Sequence, residues 1–483
     1  MARTIPSFPT ELKNGGTVAP PITATETLHT YDIEVITPLF GGGVEAGVND
    51  PIALIRPSSI RGHLRFWWRA TRGATFSSAA KMRQREAEIW GSTEEPSKVV
   101  VRVTFDPNDH SCSNSSEPVS TTLSKGQSLP IGWFDRKEKF NQHTGKNEIK
   151  HKFYFDNDIA EYAAFPCRPI DHNELLTNIT KGIVFRLCLE YPDSLRSDIE
   201  AALTAWVNFG GIGARTRRGF GALYCEKLAK VDKESFSLLN KKSSSPSDWP
   251  ILFHDCYLTA SKRQLATISW KSGILQFQQF RQCPVGRREG NGRSNWPEAE
   301  AIRNLVYEQW SLTNPPQNWH RLDPIFNIPP STLEQYPVYF PRAEFGLPII
   351  FEIRGETIPD GSGKNIKPTL QFSEKHDRLA SPLMIRPIKF KDGSVSCMFL
   401  RLRTPTLSGA FLKKSTSIIR ENGKNVEKDN DLKDSVSIEA NQIRNPKLNS
   451  YTNSPLGPSS PGKTSRSKDG SALDAFFAYL RNG

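Results

Sequence analysis

The 483-residue chain has no run of about 18 apolar residues, which excludes a membrane-spanning helix. Its opening residues, MARTIPSFPTELKNGG, lack the apolar stretch of a signal peptide, so we do not expect secretion. The seven cysteines are odd in number, widely spaced and never arranged as Cys-x-x-Cys. That pattern predicts free thiols in a reducing cytoplasm, and neither a disulfide framework nor a zinc site.

Signatures of catalysis and of cofactor binding are also scarce. The sequence contains no HExxH or GxSxG motif and no carboxylate cluster with a metal-binding pattern, so we expect no metal and no cofactor. Asp32 and Glu34 alternate along a strand and are only weak evidence for a metal. His63 could accept the proton of a ribose 2′-hydroxyl, but a single histidine on such a helix is more often a surface or packing residue.

The chain is well supplied with aromatic residues, glycine, proline and positive charge. Its 10 Trp and 27 Phe suffice to build a core, although hydrophobic residues make up only 37% of the chain. The 33 Gly and 35 Pro argue against long uninterrupted helices. At about 150 residues per domain, the length allows two or three domains. A formal net charge of +12 at pH 7 indicates an acidic partner.

The first half alternates between strand and helix patterns, after a flexible leader, 1–28, that is rich in Pro, Thr and Gly. The polar stretch at about 106–150 is predicted to be an inserted loop. This order is compatible with a ferredoxin-like β-α-β-β-α-β unit that carries insertions. The predicted elements are strands at 31–37, 99–105, 183–189 and 220–226, and helices from Ser58 or Ser59 to Gly73, from Ala79 to Trp90 and from about Ser194 to Phe209.

The second half repeats this theme less clearly. The run 240–248 has no apolar residue, which predicts a flexible joint or a long surface loop inside one domain. Asp392-Gly393 predicts a hairpin, and Ser471 is expected to cap a terminal amphipathic helix that must dock on this chain or on another. We also predict extended segments at 267–270 and 273–280, a helix at 297–310 and a strand at 347–353. The polar segment at about 422–469 is expected to be loose or ordered only by a partner. The terminal helix has an apolar face of Leu473, Phe476, Phe477 and Leu480.

One predicted helix carries a row of arginines beside its apolar face, and no acidic residue lies between Arg56 and Arg72. Without carboxylate partners such a row repels itself unless an anion is bound, and the planar arginine fork suits phosphate oxygens. We interpret it as a phosphate-tracking helix. The alternative is a solvated face whose arginines pair with distant Asp or Glu. The candidate residues are Arg56, Arg61, Arg65, Arg69 and Arg72.

A second candidate is the glycine–arginine loop, residues 210–221, with the sequence GGIGARTRRGFG. Its five glycines allow the backbone N–H groups to form an anion nest, and three arginines add charge. It is not a Walker loop, because the Gly-Lys-Ser/Thr ending is missing, and Thr216 replaces the third glycine of GxGxxG. The alternative is a tight turn with incidental charge. The candidate residues are Gly210, Gly211, Gly213, Arg215, Arg217, Arg218, Gly219 and Gly221.

A third cluster lies at 281–297, where Arg287, Arg288 and Arg293 stand among glycines. Trp296 could stack on a base, or it could be a core residue beneath the helix that follows. For Trp296 we expect the core position at least as much as stacking on a base. Phe220 in the glycine–arginine loop could likewise stack on a base, or it could anchor the loop.

These segments together resemble the RAMP superfamily of CRISPR systems. The glycine–arginine loop is similar to the family's glycine-rich loop, and ITPLFGGG followed by IRPSSIRGHLRFWWRA resembles the opening of the Cmr subunit-one family of type III-B complexes. GRSNWPEAEAIR, FGLPI and the run RLASPL at 378–383 also resemble that family, so the likeness spans about residues 30 to 400.

The resemblance implies an α+β protein with two tandem ferredoxin-like (RRM-like) RAMP domains, insertions and a polar C-terminal extension. It implies a non-catalytic RNA-binding subunit of a cytoplasmic, RNA-guided antiviral complex, whose partners are the 3′ part of CRISPR RNA, target RNA and other Cmr subunits, with no membrane. By the match of motif, the glycine–arginine loop faces RNA. The domains are a leader at 1–28, a first domain at 29–230 with an insert at about 106–150, a second domain at 251–410 and an extension at 411–483.

Two other functions stay open. One is a metal-independent endoribonuclease of the RAMP type that acts on CRISPR RNA, with His63 as the base. The other is a scaffold that binds only protein through its terminal helix.

Overall fold

The structure is a computed structural model in which helices and sheets are both abundant, which confirms the predicted mixed helix-and-sheet class. Among its described residues, no helix is both long and apolar enough to cross a membrane. The described residues are 26–43, 48–50, 53–109, 112, 122–141, 146–169, 171–234, 253–286, 294–302, 305, 338–357, 365–413, 415–421, 424–430, 435–450, 454–458, 464–467 and 469–482. Most of the predicted leader, the run 240–248 and the arginines at 287, 288 and 293 lie outside them.

The first half is organised around an antiparallel sheet. Its strands are β1 (Glu26–Val35), β2 (Val100–Thr104), β6 (Asn178–Pro192) and β7 (Leu223–Tyr224), in the order β2-β6-β1-β7. Another strand, β3 (Ser124–Pro130), pairs with the first part of β6. The four strands predicted in this half are confirmed, and their inward side chains form one core with the helices that cover them.

The helices of this half begin and end close to the predicted positions. Helix α1 (Pro57–Ala70) opens on a proline, where a missing N–H costs no hydrogen bond, and stops three residues before the predicted Gly73 as the chain tightens into a 3-10 turn. Helix α2 (Ala79–Trp90) is capped by the Ser78 hydroxyl. The short α3 (Glu161–Ala164) was not predicted, and α4 (Arg196–Phe209) packs against α1.

The stretch 106–150 is not simply a loop, and that prediction is wrong. Besides β3 it contains β4 (Gly132–Asn141), which pairs along its whole length with β5 (Lys146–Phe155) in a long hairpin. The base of this hairpin is buried through Phe153 and Phe155. Because its outer part needs no apolar face, the sequence there carries the polar composition of a loop.

A second antiparallel sheet, in the order β13-β14-β8, consists of β8 (Phe253–Leu258), β13 (Leu383–Lys389) and β14 (Val395–Leu402). The hairpin predicted around Asp392-Gly393 joins β13 to β14 and is confirmed. The predicted strand at 347–353 divides into β9 (Ile349–Ile350) and the start of β10 (Ile353–Thr357).

The prediction of extended segments at 267–270 and 273–280 is wrong, because this region is helix α5 (Ala266–Arg281) on the second sheet. Its buried residues, including Trp270, Ile274 and Phe277, follow one helical face. Gly273 allows the helix to approach the sheet closely: a Cβ at this position would lie 2.0 Å from Cys397 Sγ.

The C-terminal part contributes more structure than predicted. Strands β9, β12 (Thr369–Gln371), β15 (Gly409–Lys413) and β18 (Val436–Glu439) form a third sheet in the order β18-β15-β12-β9. Pairing between strands supplies order that apolar patterning does not reveal, so the segment 422–469 is not uniformly loose. The remaining elements are β11 (Asn365–Ile366), β16 (Ser415–Glu421), β17 (Lys424–Asn430) and helix α6 (Ala440–Ile443). Within the helix predicted at 297–310, residues 298–302 and 305 are described and helical.

The terminal helix α7 (Ala472–Asn482) is confirmed, and it docks on this chain. The Ser471 hydroxyl accepts a hydrogen bond from the Asp474 N–H at 3.2 Å, as expected for a cap. Phe476 is fully buried among the rings of Phe277, Phe280, Phe345 and Phe399.

The cysteine prediction fails for one pair. Cys112 and Cys188 form a disulfide, whereas Cys167, Cys225, Cys256, Cys283 and Cys397 are free. The pairing brings together residues 76 positions apart, a distance that sequence spacing alone does not reveal.

A buried arginine joins the two halves of the chain. Arg386 on β13 is fully buried and donates from its guanidinium to the main-chain oxygens of Val207 at 3.0 Å, Leu223 at 2.8 Å and Gly210. Two of these carbonyls lie at the C-terminal end of α4, where a positive charge is favourable. Burial lowers the pKa of Arg386 to about 9, so the guanidinium is still charged at neutral pH.

Candidate nucleic-acid interface

Helix α1 separates its apolar and charged side chains onto neighbouring faces. Trp67 and Trp68 are buried against the core, whereas Arg61, Arg65 and Arg69 lie on the side that faces α2. Successive arginines are four residues apart, so their Cα atoms lie about 6 Å apart along the axis. The predicted separation of faces is therefore present.

Two of these arginines share a buried carboxylate. The carboxylate of Glu86 on α2 is 4% exposed and accepts hydrogen bonds at 2.7 Å from Arg65 Nε and at 2.7 Å from Arg69 Nε. Burial alone would raise the pKa of Glu86, but the hydrogen bonds from Arg69 and Arg65 outweigh it and lower that pKa. The expectation that the row has no acidic partner is thus wrong for Arg65 and Arg69, because a neighbouring helix supplies one.

An open cleft of about 890 Å³, which we term the arginine cleft, lies between α1, α2 and the loop 91–97. Four arginines and two glutamates line it, a net formal charge of two positive units. Since one carboxylate balances Arg65 and Arg69 together, the cleft retains an excess of cationic donors. Its lining residues are Arg61, Arg65, Arg69, Arg83, Glu86, Ala87, Trp90, Gly91, Ser92, Thr93, Glu95, Pro96 and Ser97.

The other two arginines of the predicted row lie apart from this cleft. Arg56 Nη2 donates to the carbonyl oxygens of Gly42 and, at 3.1 Å, of Gly43. Arg72 Nε donates to the Ser197 carbonyl oxygen at 3.4 Å. Both side chains therefore bind the protein's own backbone.

The glycine–arginine loop packs inward. Arg217 donates to the carbonyl oxygen of Ser381, and Arg218 donates to the Leu383 carbonyl oxygen at 2.8 Å. Arg215 Nε donates to the Ala163 carbonyl oxygen at 2.6 Å. The guanidinium groups of this loop are therefore paired with the protein's own backbone, and those of Arg217 and Arg218 hold the first half against β13 and its preceding residues.

Burial explains the electrostatics of these arginines. It lowers the pKa of Arg215 and of Arg217. For Arg218, burial together with the nearby charges of Arg281 and Arg215 lowers the pKa to about 9, and its guanidinium lies 5.1 Å from the centre of the Phe277 ring. The guanidinium groups of all three are directed into the protein.

Packing also fixes the backbone of the loop. Gly219 has a φ of +87°, and a Cβ there would lie 2.4 Å from Trp270 Nε1. The N–H groups of Ile212, Ala214 and Gly221 donate to main-chain oxygens. Phe220 is fully buried, so it anchors the loop and has no free face for a base.

The third cluster is only partly described. Arg287, Arg288 and Arg293 lie outside the described residues. Trp296 is 1% exposed, its Nε1–H donates to the Arg281 carbonyl oxygen at 3.0 Å, and its ring packs against Phe280. Trp296 is therefore the core residue that we gave as the alternative.

The candidate catalytic groups have structural surroundings. His63 stacks on Trp206 with ring centres 6.1 Å apart, and burial lowers the pKa of His63 to about 4, which makes it a weak base. Asp32 pairs with Arg186 and Glu34 pairs with Lys389. Within the described ranges, no three His, Cys, Asp or Glu residues are grouped so that they could hold a metal ion.

Sequence reasoning missed Arg83, Glu86 and Trp90, all on α2. The available signal was the short connection between α1 and α2, which makes the two helices neighbours. It does not reveal which residues of α2 face the arginine row.

The comparisons with known proteins agree with the motif resemblance. The family model of the RAMP superfamily matches residues 32–224. The chain is 28% identical over 212 residues to CRISPR system Cmr subunit Cmr1-2 of Pyrococcus furiosus, covering 42% of this chain and 96% of that protein. It is 27% identical over 195 residues to subunit Cmr1-1 of the same organism, covering 39% of this chain and 46% of that protein.

Among solved structures, the chain is similar to the apo crystal structure of Cmr1 from Pyrococcus furiosus, with 16% identity and a TM-score of 0.39. That match covers 83% of this chain and 94% of the other. The predicted likeness to the RAMP superfamily and to the Cmr subunit-one family is confirmed.

Proposed function

We propose, on the premise that the family model of the RAMP superfamily matches residues 32–224, that the chain is a non-catalytic, RNA-binding subunit of a type III-B CRISPR effector complex. The names of the related Cmr subunits support this assembly, and the net charge of +12 suits a polyanionic partner. The RNA it contacts is the 3′ part of CRISPR RNA, the target RNA or both. The other Cmr subunits are its protein partners, in the cytoplasm.

The arginine cleft is the observation that carries this proposal. Its net charge of two positive units lies within the part of the chain that matches the superfamily. Arg61 and Arg83 supply guanidinium groups beyond the pair that Glu86 balances. Contacts of this kind bind phosphates without reading sequence, which suits a subunit whose sequence selection comes from base pairing to a guide.

We further propose that both halves follow the ferredoxin-like plan. In the first half, β1, α1, β2, β6, α4 and β7 occur in the chain order β-α-β-β-α-β, with α2, β3, β4, β5 and α3 inserted between them, which supports this. In the second half, β8, α5, β13, β14 and α7 supply the corresponding first five elements. The domain boundaries given above, and RNA contact by the glycine–arginine loop and by the third cluster, stay predictions.

The experiment is a salt titration of RNA binding by the purified chain. Labelled single-stranded RNAs of unrelated sequence are titrated between about 50 and 200 mM salt. We expect similar affinities for all of them and a log–log slope of about −1.4 to −2.8, for two to four phosphate contacts at about 0.7 each. No binding at the lowest salt, or a slope near zero, would contradict the proposal.

A further inference from the structure

Two buried donors at the arginine cleft have no acceptor within the described part of the chain. Trp90 lines the cleft and is 2% exposed, and its indole N–H finds no acceptor among the described residues. Arg61 Nε is likewise buried, with no partner in the part of the chain that the structure describes. Because buried donors in folded proteins are almost always satisfied, these two indicate an acceptor that comes from outside the chain.

The remaining lining narrows the chemistry of that acceptor. The guanidinium groups and indole N–H donate only, so the ligand must present several acceptor oxygens and carry negative charge. Ala87 and Pro96 add an apolar wall. The volume of about 890 Å³ falls in the range of sites for small organic ligands, about 300–1,000 Å³. An inorganic anion alone would leave most of this space and the apolar wall unused.

The wall opposite the arginines is fixed by its own hydrogen bonds. In the loop 91–97, the Ser92 N–H donates to the Glu95 carbonyl oxygen at 2.9 Å, and the Ser92 hydroxyl accepts from the N–H groups of Glu94 and Glu95, each at 3.1 Å. The Lys98 N–H donates back to the Ile89 carbonyl oxygen at 3.1 Å. The shape of the cleft is therefore set before binding, which lowers the entropic cost of taking a small ligand.

We infer that the arginine cleft is a pocket for a single ribonucleotide unit of RNA. Its phosphate is held by the guanidinium groups and by the Trp90 N–H, and its nucleoside lies against Ala87 and Pro96. This inference rests on the proposed function and names the unit of RNA that the site takes. An electrostatic track alone would bind a long strand but would have no measurable affinity for one nucleotide.

The first arm of the test uses small probes on the full chain. Uridine monophosphate, inorganic phosphate and uridine are titrated by calorimetry at low salt. We expect the affinity for uridine monophosphate to exceed that for phosphate, and no heat from uridine. Equal binding of uridine and its monophosphate would overturn the role of the phosphate, and equal binding of phosphate and the monophosphate would overturn the role of the nucleoside.

The second arm identifies the site. Trp90→Phe removes the N–H but keeps the buried ring, and Arg61→Ala removes one guanidinium; each should weaken uridine monophosphate about tenfold. Arg85→Ala, on α2 but outside the cleft, and Trp133→Phe, on the β4–β5 hairpin, should bind as the unaltered chain does. Equal affinity for uridine monophosphate in all four variants would overturn the assignment of the site. Equal melting temperatures of the four variants show that each is folded, so that their affinities can be compared.

The two proposals fail separately. RNA binding without any binding of uridine monophosphate overturns the pocket and leaves the RNA-binding function intact. Nucleotide binding at the cleft without affinity for RNA strands overturns the proposed function, on which the pocket's assignment to RNA depends.

Discussion

Glu86→Gln should strengthen RNA binding while it weakens the fold. In the protein, the Glu86 carboxylate accepts from Arg65 Nε and Arg69 Nε, each at 2.7 Å, while those two arginine side chains stay 36% and 45% exposed. The substitution keeps the size of the side chain but removes its charge. The net formal charge of the cleft then rises by one unit, and one or both arginines become available to phosphate.

The magnitude follows from the number of contacts released. Each additional phosphate contact on a single strand makes the slope of log affinity against log salt more negative by about 0.7. One or two released arginines therefore predict a slope more negative by about 0.7 to 1.4. The assay is anisotropy of a labelled RNA over a range of salt concentrations. Glu88→Gln, on the same helix but outside the cleft, is the matched control and should leave the slope unchanged.

The cost to stability should depend on pH. Loss of charge-assisted hydrogen bonds to two half-exposed arginines costs about 1–2 kcal/mol at pH 7. Because the pKa of Glu86 is lowered in the folded protein, its contribution is complete above the ordinary glutamate value and is lost as the pH falls through the folded-state pKa. Urea unfolding should show the two proteins converging in acid. Weaker RNA binding by Glu86→Gln with an unchanged slope would refute this reasoning.

Three further predictions concern the fold. Arg386→Met should cost about 3–5 kcal/mol in urea unfolding, because it leaves buried carbonyl oxygens without their donor; a loss below about 1 kcal/mol would mean that this arginine does not hold the halves together. Phe476→Ala should cost about 3–5 kcal/mol through the cavity it opens, whereas Phe165→Ala, at an exposed ring, should stay within about 0.5 kcal/mol. Reduction of the Cys112–Cys188 disulfide should cost about 4.5 kcal/mol, given the loop it closes; equal stability with and without reductant would show that the bond does not form.

Local chemistry predicted much of the fold. The predicted start of α1 at Ser58 or Ser59 lies within two residues of its actual start at Pro57, Ser471 caps α7 as predicted, and Asp392-Gly393 gives the hairpin. These signals act within a few residues of where they stand. Features that depend on distant pairing were missed, such as the β4–β5 hairpin, whose polar strands are ordered by one another. The extended segments predicted at 267–270 and 273–280 belong instead to helix α5, in which Gly273 makes a close contact with a sheet far along the chain.

The candidate site was predicted in part for the same reason. The arginine row on α1 is visible in sequence, because helical periodicity is local. Its balance by Glu86 and its enclosure by Arg83 and Trp90 are tertiary. The glycine–arginine loop shows the opposite outcome: its composition suggests an anion nest, yet Arg217 and Arg218 donate to carbonyl oxygens of the second half, which the sequence of the loop cannot reveal.

The most direct test of the central claim compares the salt dependence of RNA binding by the unaltered chain, by Arg61→Ala/Arg83→Ala and by Arg85→Ala. Neither substituted arginine of the double variant pairs with Glu86 in the structure, so the Glu86 ion pairs are preserved. We predict a slope less negative by about 1.4 for the double variant and no change for Arg85→Ala. An unchanged slope and affinity in the double variant would contradict the assignment of RNA to the arginine cleft.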